Sequence, residues 1–231
     1  MYNVLISGGT KGIGKIISDH LYDRGFGVLA LYLNDDENAM KCKFHTLRCD
    51  VTNNDDIENL KDILSVEGFE PLILINNAGF NDDALLWAMT EDQWDRVIDV
   101  TLKGTYNLTK MVIPFMMERY AGCIINISSV VSQIGVISTT NYATAKAGLN
   151  GFTKSLTKEL GIRYIRVNNL ALGYFDTGII KSIPKDILPK IIKTIPLKRL
   201  GKRHDLTSAI DFLIDCDYVT GQTININGGL I

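Results

Sequence analysis

Short runs rich in apolar residues, separated by segments of helical spacing, recur along almost the whole chain, and this alternation constrains the fold most. The runs are Val4–Ile6, Val28–Tyr32, Phe44–Cys49, Leu72–Ile75, Ile124–Ile127, Ile165–Leu170 and Gln222–Ile226. A strand with one wet face alternates polar with apolar residues. A run that is apolar at successive positions is buried on both faces, as in a parallel sheet covered by helices. Between the runs, Ile13, Ile16, Ile17, His20 and Leu21 recur at helical spacing, as do Leu149, Phe152, Leu156 and Leu160. One helix is expected from about Glu91 to Tyr120 and another from about Asn141 to Leu160. Right-handed crossovers then leave a doubly wound α/β sheet of about seven parallel strands with helices on both faces.

Composition narrows the classes further. With 231 residues, 46% hydrophobic and 22% charged, the chain can bury one large core. No linker-like stretch divides it, so a single domain over 1–231 is expected, with no separate substrate domain. A net charge of −2 gives no general argument for nucleic acid or an anionic membrane as a partner. No apolar run is long enough to span a bilayer, and the first residues read as a strand that ends in glycines rather than as a signal peptide. The four cysteines form no C-x-x-C pair and the three histidines are scattered, so no metal site is expected. Reduced thiols in a cytoplasmic protein are the expectation.

Directly after the first strand comes Gly8-Gly9-Thr10-Lys11-Gly12-Ile13-Gly14, opening the first helix. Glycines here permit a tight turn and bring backbone N–H groups close to a pyrophosphate at the positive helix N-terminus. The spacing is G-x-x-x-G-x-G, and the strand before and helix after it make the fold Rossmann-like. Farther on, Tyr142 and Lys146 stand four residues apart on a helix, hence on one face. A phenol titrates near ~10, and a cation held beside it is expected to favour phenolate and lower that value. Ser129 can hold a substrate oxygen against Tyr142.

Taken in order, the glycine turn, Asn76-Asn77-Ala78-Gly79, Ser129 and Tyr142-Ala143-Thr144-Ala145-Lys146 resemble the short-chain dehydrogenase/reductase family, nearest its 3-oxoacyl-acyl-carrier-protein reductases. The likeness runs from Val4 to Gly229 and includes the closing Asn227-Gly228-Gly229. It implies ketone reduction, with hydride from a nicotinamide and a proton from Tyr142, and Ser129, Tyr142, Lys146 and Thr101 as catalytic residues. Lys146 would also hold the nicotinamide ribose. The resemblance assigns the cofactor to Gly8, Thr10, Lys11, Gly12, Ile13, Gly14, Asp50, Val51, Asn77, Ala78, Gly79, Tyr142, Lys146 and Thr177, with Asn76 also along the channel.

The chain departs from the family pattern twice. Thr101 stands where the family has an asparagine that shapes the helix so that a main-chain carbonyl holds a relay water. Threonine is expected to bond an i−4 carbonyl and bend the helix. Leu172 replaces the usual proline before Gly173, a change expected to loosen that loop. Tyr32 occupies the strand end where NAD-preferring members carry an acid, the nearest acids being Asp35 and Asp36. Together with Lys11, this points to NADP(H) rather than NAD(H).

Residues from about 174 to 204 match the family's substrate lid. Lys181, Lys185, Lys190, Lys193, Lys198, Arg199, Lys202 and Arg203 give that segment a basic edge suited to an acidic acyl carrier protein. An equally good account of the lysines is a solvated helix face. The expected substrate is a carrier-bound or small-molecule ketone. Other readings are an oxidoreductase of a different small alcohol or ketone, and a weakly catalytic dinucleotide-binding regulator. The family's subunit pairing implies a homotetramer, with a dimer as the smaller alternative.

Overall fold

In the computed structural model, which describes residues 2–177, 180 and 186–231, seven strands form one parallel sheet in the order β3-β2-β1-β4-β5-β6-β7. The strands are β1 (Asn3–Ser7), β2 (Gly27–Tyr32), β3 (His45–Arg48), β4 (Pro71–Asn76), β5 (Gly122–Ser129), β6 (Ile165–Leu172) and β7 (Thr223–Ile226). Strand order reverses between β1 and β4, and that switch point opens the crevice where ligands bind in sheets of this kind.

The two faces explain why successive residues of the central strands are mostly apolar. Val4 and Ile6 point to one side, with Ile73, Ile75, Ile125 and Leu170, against α1 (Gly12–Asp23) and α9 (Arg203–Asp215). Leu5 points to the other, with Leu29, Leu31, Leu74 and Ile124, against α3 (Asn54–Val66), α5 (Gly104–Arg119) and α7 (Thr140–Leu160). Short helices α2 (Asp36–Ala39), α6 (Val131–Ile134) and α8 (Leu188–Thr194) and a 3-10 turn at Gly161–Arg163 lie between them. No described helix is long and apolar enough to cross a membrane.

Three sequence expectations need correction. The helix expected from Glu91 to Tyr120 is interrupted: α4 (Glu91–Ile98) passes through a π turn, Asp99–Lys103, into α5. Thr101 sits in that turn, but its hydroxyl bonds no carbonyl; instead Thr105 Oγ1 donates to the Thr101 carbonyl at 2.7 Å. The bend is thus a π turn, with the back-bond made by Thr105 and not by Thr101. Nor does Leu172 loosen its segment. Strand β6 continues through it, in register with Ser129 and Ile226, and its side chain is buried in the core. A leucine keeps the N–H that proline lacks and fills the space under the loop.

Candidate active site

The glycine turn leaves β1 at the switch point. Gly8 and Gly12 adopt φ of 62° and 55°, a left-handed geometry that side chains resist. At Gly14 a Cβ would collide with the Gly8 carbonyl oxygen and crowd the Asn77 amide. No side chain caps α1 at Lys11 and no acid lies in its first turn, so its leading N–H groups face the crevice without an internal anion. This cradle fits a pyrophosphate.

Asn77 closes the other wall. Its Nδ2 donates to the carbonyls of Ser7 and Gly8 at 2.9 and 3.0 Å. Ser7 Oγ in turn accepts the N–H groups of Asn77 and Ala78, each at 3.0 Å. Sequence reasoning missed Ser7; its signal is a buried hydroxyl ending an apolar strand. Asn76, expected along the channel, lies elsewhere: it is buried and its Nδ2 bonds Asn126 and Thr109 between sheet and α5. Alternate residues of a strand face opposite ways, which separates Asn76 from Asn77.

Asp50 and Val51 follow β3 in a fixed turn. Asp50 Oδ1 accepts from the N–H and hydroxyl of Thr52, while Asn107 Nδ2 holds the Val51 carbonyl at 2.9 Å. The acids after β2 are closer to the cradle than sequence position suggests. Asp35 Oδ2 accepts the buried Thr10 hydroxyl at 2.6 Å, and its Oδ1 accepts from Asn38 at 2.7 Å. Lys11 is exposed.

At the far end of the crevice α7 carries Tyr142 and Lys146 on one face, opposite Ser129 at the end of β5. Lys146 is 4% exposed, and its Nζ donates to the Ile127 carbonyl at 2.7 Å and lies 5.7 Å from the centre of the Tyr142 ring. Burial pulls its ammonium down to about 8. Burial pushes the Tyr142 phenol up, hydrogen bonding with Ser129 pulls it down, and the charge of Asp83 pushes it up again. The expected lowering by Lys146 does not govern; the ammonium lies over the ring and is itself costly to keep charged. Ser129 Oγ accepts the Val131 N–H at 3.2 Å, which leaves its proton to give to another oxygen.

Thr101 reaches this end as well. Its hydroxyl is buried without a partner, and a Cβ on Gly79 would lie 3.3 Å from it and 3.4 Å from Lys146 Nζ. The missing side chain of Gly79 therefore gives both polar atoms a common gap. Thr177 is half-buried after β6, its N–H on the Phe175 carbonyl at 2.7 Å. Of the basic lid residues, Lys181 and Lys185 lie outside the described residues. Arg199 is held bidentately by Asp205, and Lys198 Nζ caps the Lys193 carbonyl, while Lys190 and Lys193 are exposed on α8.

Known proteins of similar sequence and fold give the chain its family. A family model described as enoyl-(acyl carrier protein) reductase matches residues 8–231. A 3-oxoacyl-acyl-carrier-protein reductase of Thermotoga maritima is 38% identical, covering 98% of this chain and 96% of that protein. One from Vibrio harveyi is 35% identical, with 98% and 96% covered. The acetoacetyl-CoA reductase of Cupriavidus necator is 38% identical, with 97% and 96% covered. Among solved structures, a proposed gluconate dehydrogenase from Agrobacterium tumefaciens superposes with a TM-score of 0.94 at 26% identity, covering 99% of this chain and 95% of that one.

Proposed function

The chain belongs to the short-chain dehydrogenase/reductase family, nicotinamide-dependent oxidoreductases of ketone and hydroxyl groups, and from this premise we propose that it reduces a 3-oxoacyl thioester to the 3-hydroxyacyl product. The observation that carries the reading is the meeting of Ser129, Tyr142 and a buried Lys146 at the end of a crevice whose other end is a pyrophosphate cradle. Relatives named as 3-oxoacyl-acyl-carrier-protein and acetoacetyl-CoA reductases supply the substrate class.

In this proposal Gly8, Thr10, Lys11, Gly12, Ile13 and Gly14 hold the pyrophosphate and adenosine half of the cofactor. Asp50, Val51, Asn77, Ala78, Gly79 and Thr177 line its course, and Lys146 holds the inner ribose. When bound, the reduced nicotinamide supplies the hydride. Ser129 donates its free proton to the ketone oxygen and holds it near Tyr142. Tyr142 gives that oxygen its proton, and the raised phenol pKa keeps the proton available at neutral pH. Lys146, titrating at about 8, is poised to restore it. Thr105 takes one lone pair of the Thr101 carbonyl, and the unpartnered hydroxyl of Thr101 is a further polar atom that this chain offers to the relay.

We assign NADP(H) as the cofactor on the uncharged strand end at Tyr32 and the exposed cation of Lys11. Exposed Lys190 and Lys193 support an acyl carrier protein as the substrate's bearer. An apolar hollow lined by Ile98, Leu102, Tyr106 and Phe152 supports the homotetramer, which light scattering tests.

Reduction of acetoacetyl-CoA, followed by loss of NADPH absorbance, tests the function. Tyr142→Phe should lower kcat by ~10³-fold with NADPH still bound. No turnover by the wild type on either carrier-linked or CoA-linked 3-oxoacyl thioesters, despite cofactor binding, would count for a regulator. A KM no lower for the carrier-linked form would remove the carrier from the proposal.

A further inference from the structure

We propose that Asn141, the residue before Tyr142, is a positioning residue that places the phenol by tying the first turn of α7 to the loop after β4 and to α4. The inference rests on Tyr142 as proton donor. Asn141 is fully buried. Its Nδ2 donates to the carbonyls of Asp82 and Gln93 at 2.9 and 3.0 Å, and its Oδ1 accepts the Tyr142 N–H at 2.8 Å. Both amide hydrogens and the acceptor are thus spent on main chain. One side chain thereby fixes the backbone of three segments that lie far apart in sequence.

The place of the grip matters more than the number of bonds. The first N–H groups of a helix have no partner within it, and no side chain of Thr139 caps α7. Asn141 supplies the acceptor at Tyr142 itself. On the other side of the amide, Asp82 lies three residues beyond Gly79, the glycine that faces Lys146 and Thr101. Gln93 stiffens that loop: its Nε2 holds Asp82 Oδ1 at 2.8 Å while its Oε1 accepts the Thr90 N–H in the capping box of α4. A second tie, Ala84 N–H to the Ser138 carbonyl at 2.9 Å, joins the same loop to the approach to α7. The phenol therefore stands on a frame built from the wall of the cofactor crevice, so its height above a bound nicotinamide follows that wall. Displacing a reacting group by ~1 Å is enough to cost ~100-fold in rate.

A double-mutant cycle separates placement from general support of the fold. Asn141→Ala removes all three bonds; Asn141→Asp keeps the acceptor for Tyr142 N–H and loses both donors. Each is made alone and with Tyr142→Phe in the full chain. The readouts are acetoacetyl-CoA reduction at saturating NADPH, NADPH binding by fluorescence, and the pH profile of kcat. Expected losses in kcat are ~30-fold for Ala and ~10-fold for Asp, with NADPH affinity within about twofold and the apparent phenol pKa moved upward as contact with Ser129 weakens. In the Tyr142→Phe background the same substitutions should cost less than about twofold more. Equal losses in both backgrounds, or wild-type kcat in the Asp variant, would overturn the proposal while leaving Tyr142 as donor. Full activity of Tyr142→Phe alone would sink the donor and this proposal together. Should either variant not fold, Asn141→Ser, which keeps a small polar group without a charge, carries the cycle with the same expectations.

Discussion

The two ends of the crevice are built by different means. At the end proposed to hold the phosphates the work falls to backbone: glycines at positive φ, a helix start with no side-chain cap, and Asn77 clasping two carbonyls of β1 and the turn. At the proposed reacting end it falls to buried side chains: Lys146, Ser129 and Asn141, whose polar atoms meet main chain, and Thr101, whose hydroxyl has no partner among the described residues. The first end is the more sensitive to added volume, the second to lost polarity. Substitutions that change only volume, or only polarity, therefore test the contrast directly.

The largest effect is expected from volume alone. Gly14→Ala adds one methyl, which meets the Gly8 carbonyl and the Asn77 amide, so the turn must open. The strain is of the order that overpacking brings, about 1–3 kcal/mol, and it falls on the atoms that close the cradle. NADPH affinity should fall ~100-fold, read by fluorescence titration, with a smaller loss in thermal stability. An alanine variant that binds NADPH as the wild type does would mean that the turn is only a connection between β1 and α1.

At the other end, polarity without volume decides. Thr101→Val is nearly isosteric and removes a buried hydroxyl that has no partner. Leaving such a group unsatisfied costs about 1–3 kcal/mol, so the valine protein should melt at higher temperature. If the hydroxyl serves the relay beside Lys146, its kcat should nevertheless fall ~10-fold, while Thr101→Ser keeps the rate. A valine variant that is more stable and equally fast would return Thr101 to a packing role.

This division also explains what the sequence discloses. The sheet is legible because Val4 and Leu5 must both be apolar when helices cover both faces. The glycine turn and the Tyr142–Lys146 pair are legible because their constraints are local, a turn in one case and one helix face in the other. The π turn is not: Asp99–Lys103 has no local breaker, and Gly104 is required there by Val51, which comes from the end of β3. Asn141 stands inside a recognisable motif, yet its task is visible only once Asp82 and Gln93 arrive 59 and 48 residues away. The phenol's raised pKa is equally non-local, since burial sets it and the four-residue spacing to Lys146 does not.

The smallest effect concerns the seam between backbone and side-chain control. The NADP(H) proposal rests on Lys11 and Tyr32, but Asp35 brings a carboxylate to the Thr10 hydroxyl, inside the cradle. An anion there repels a phosphate by about 1 kcal/mol across a few ångströms of partly solvated space. Asp35→Asn removes the charge while keeping an oxygen to accept from Thr10. NADPH affinity should rise ~5-fold and NADH affinity change by less than about twofold, with both differences shrinking in high salt. Were the wild type to bind NADH at least as tightly as NADPH, and the variant to reverse that order, Asp35 would be the residue that sets cofactor choice, with Lys11 secondary. If the variant altered neither affinity, the carboxylate would serve only the fold of the β2–α2 turn, through Thr10 and Asn38, and side-chain charge would have no part at the phosphate end.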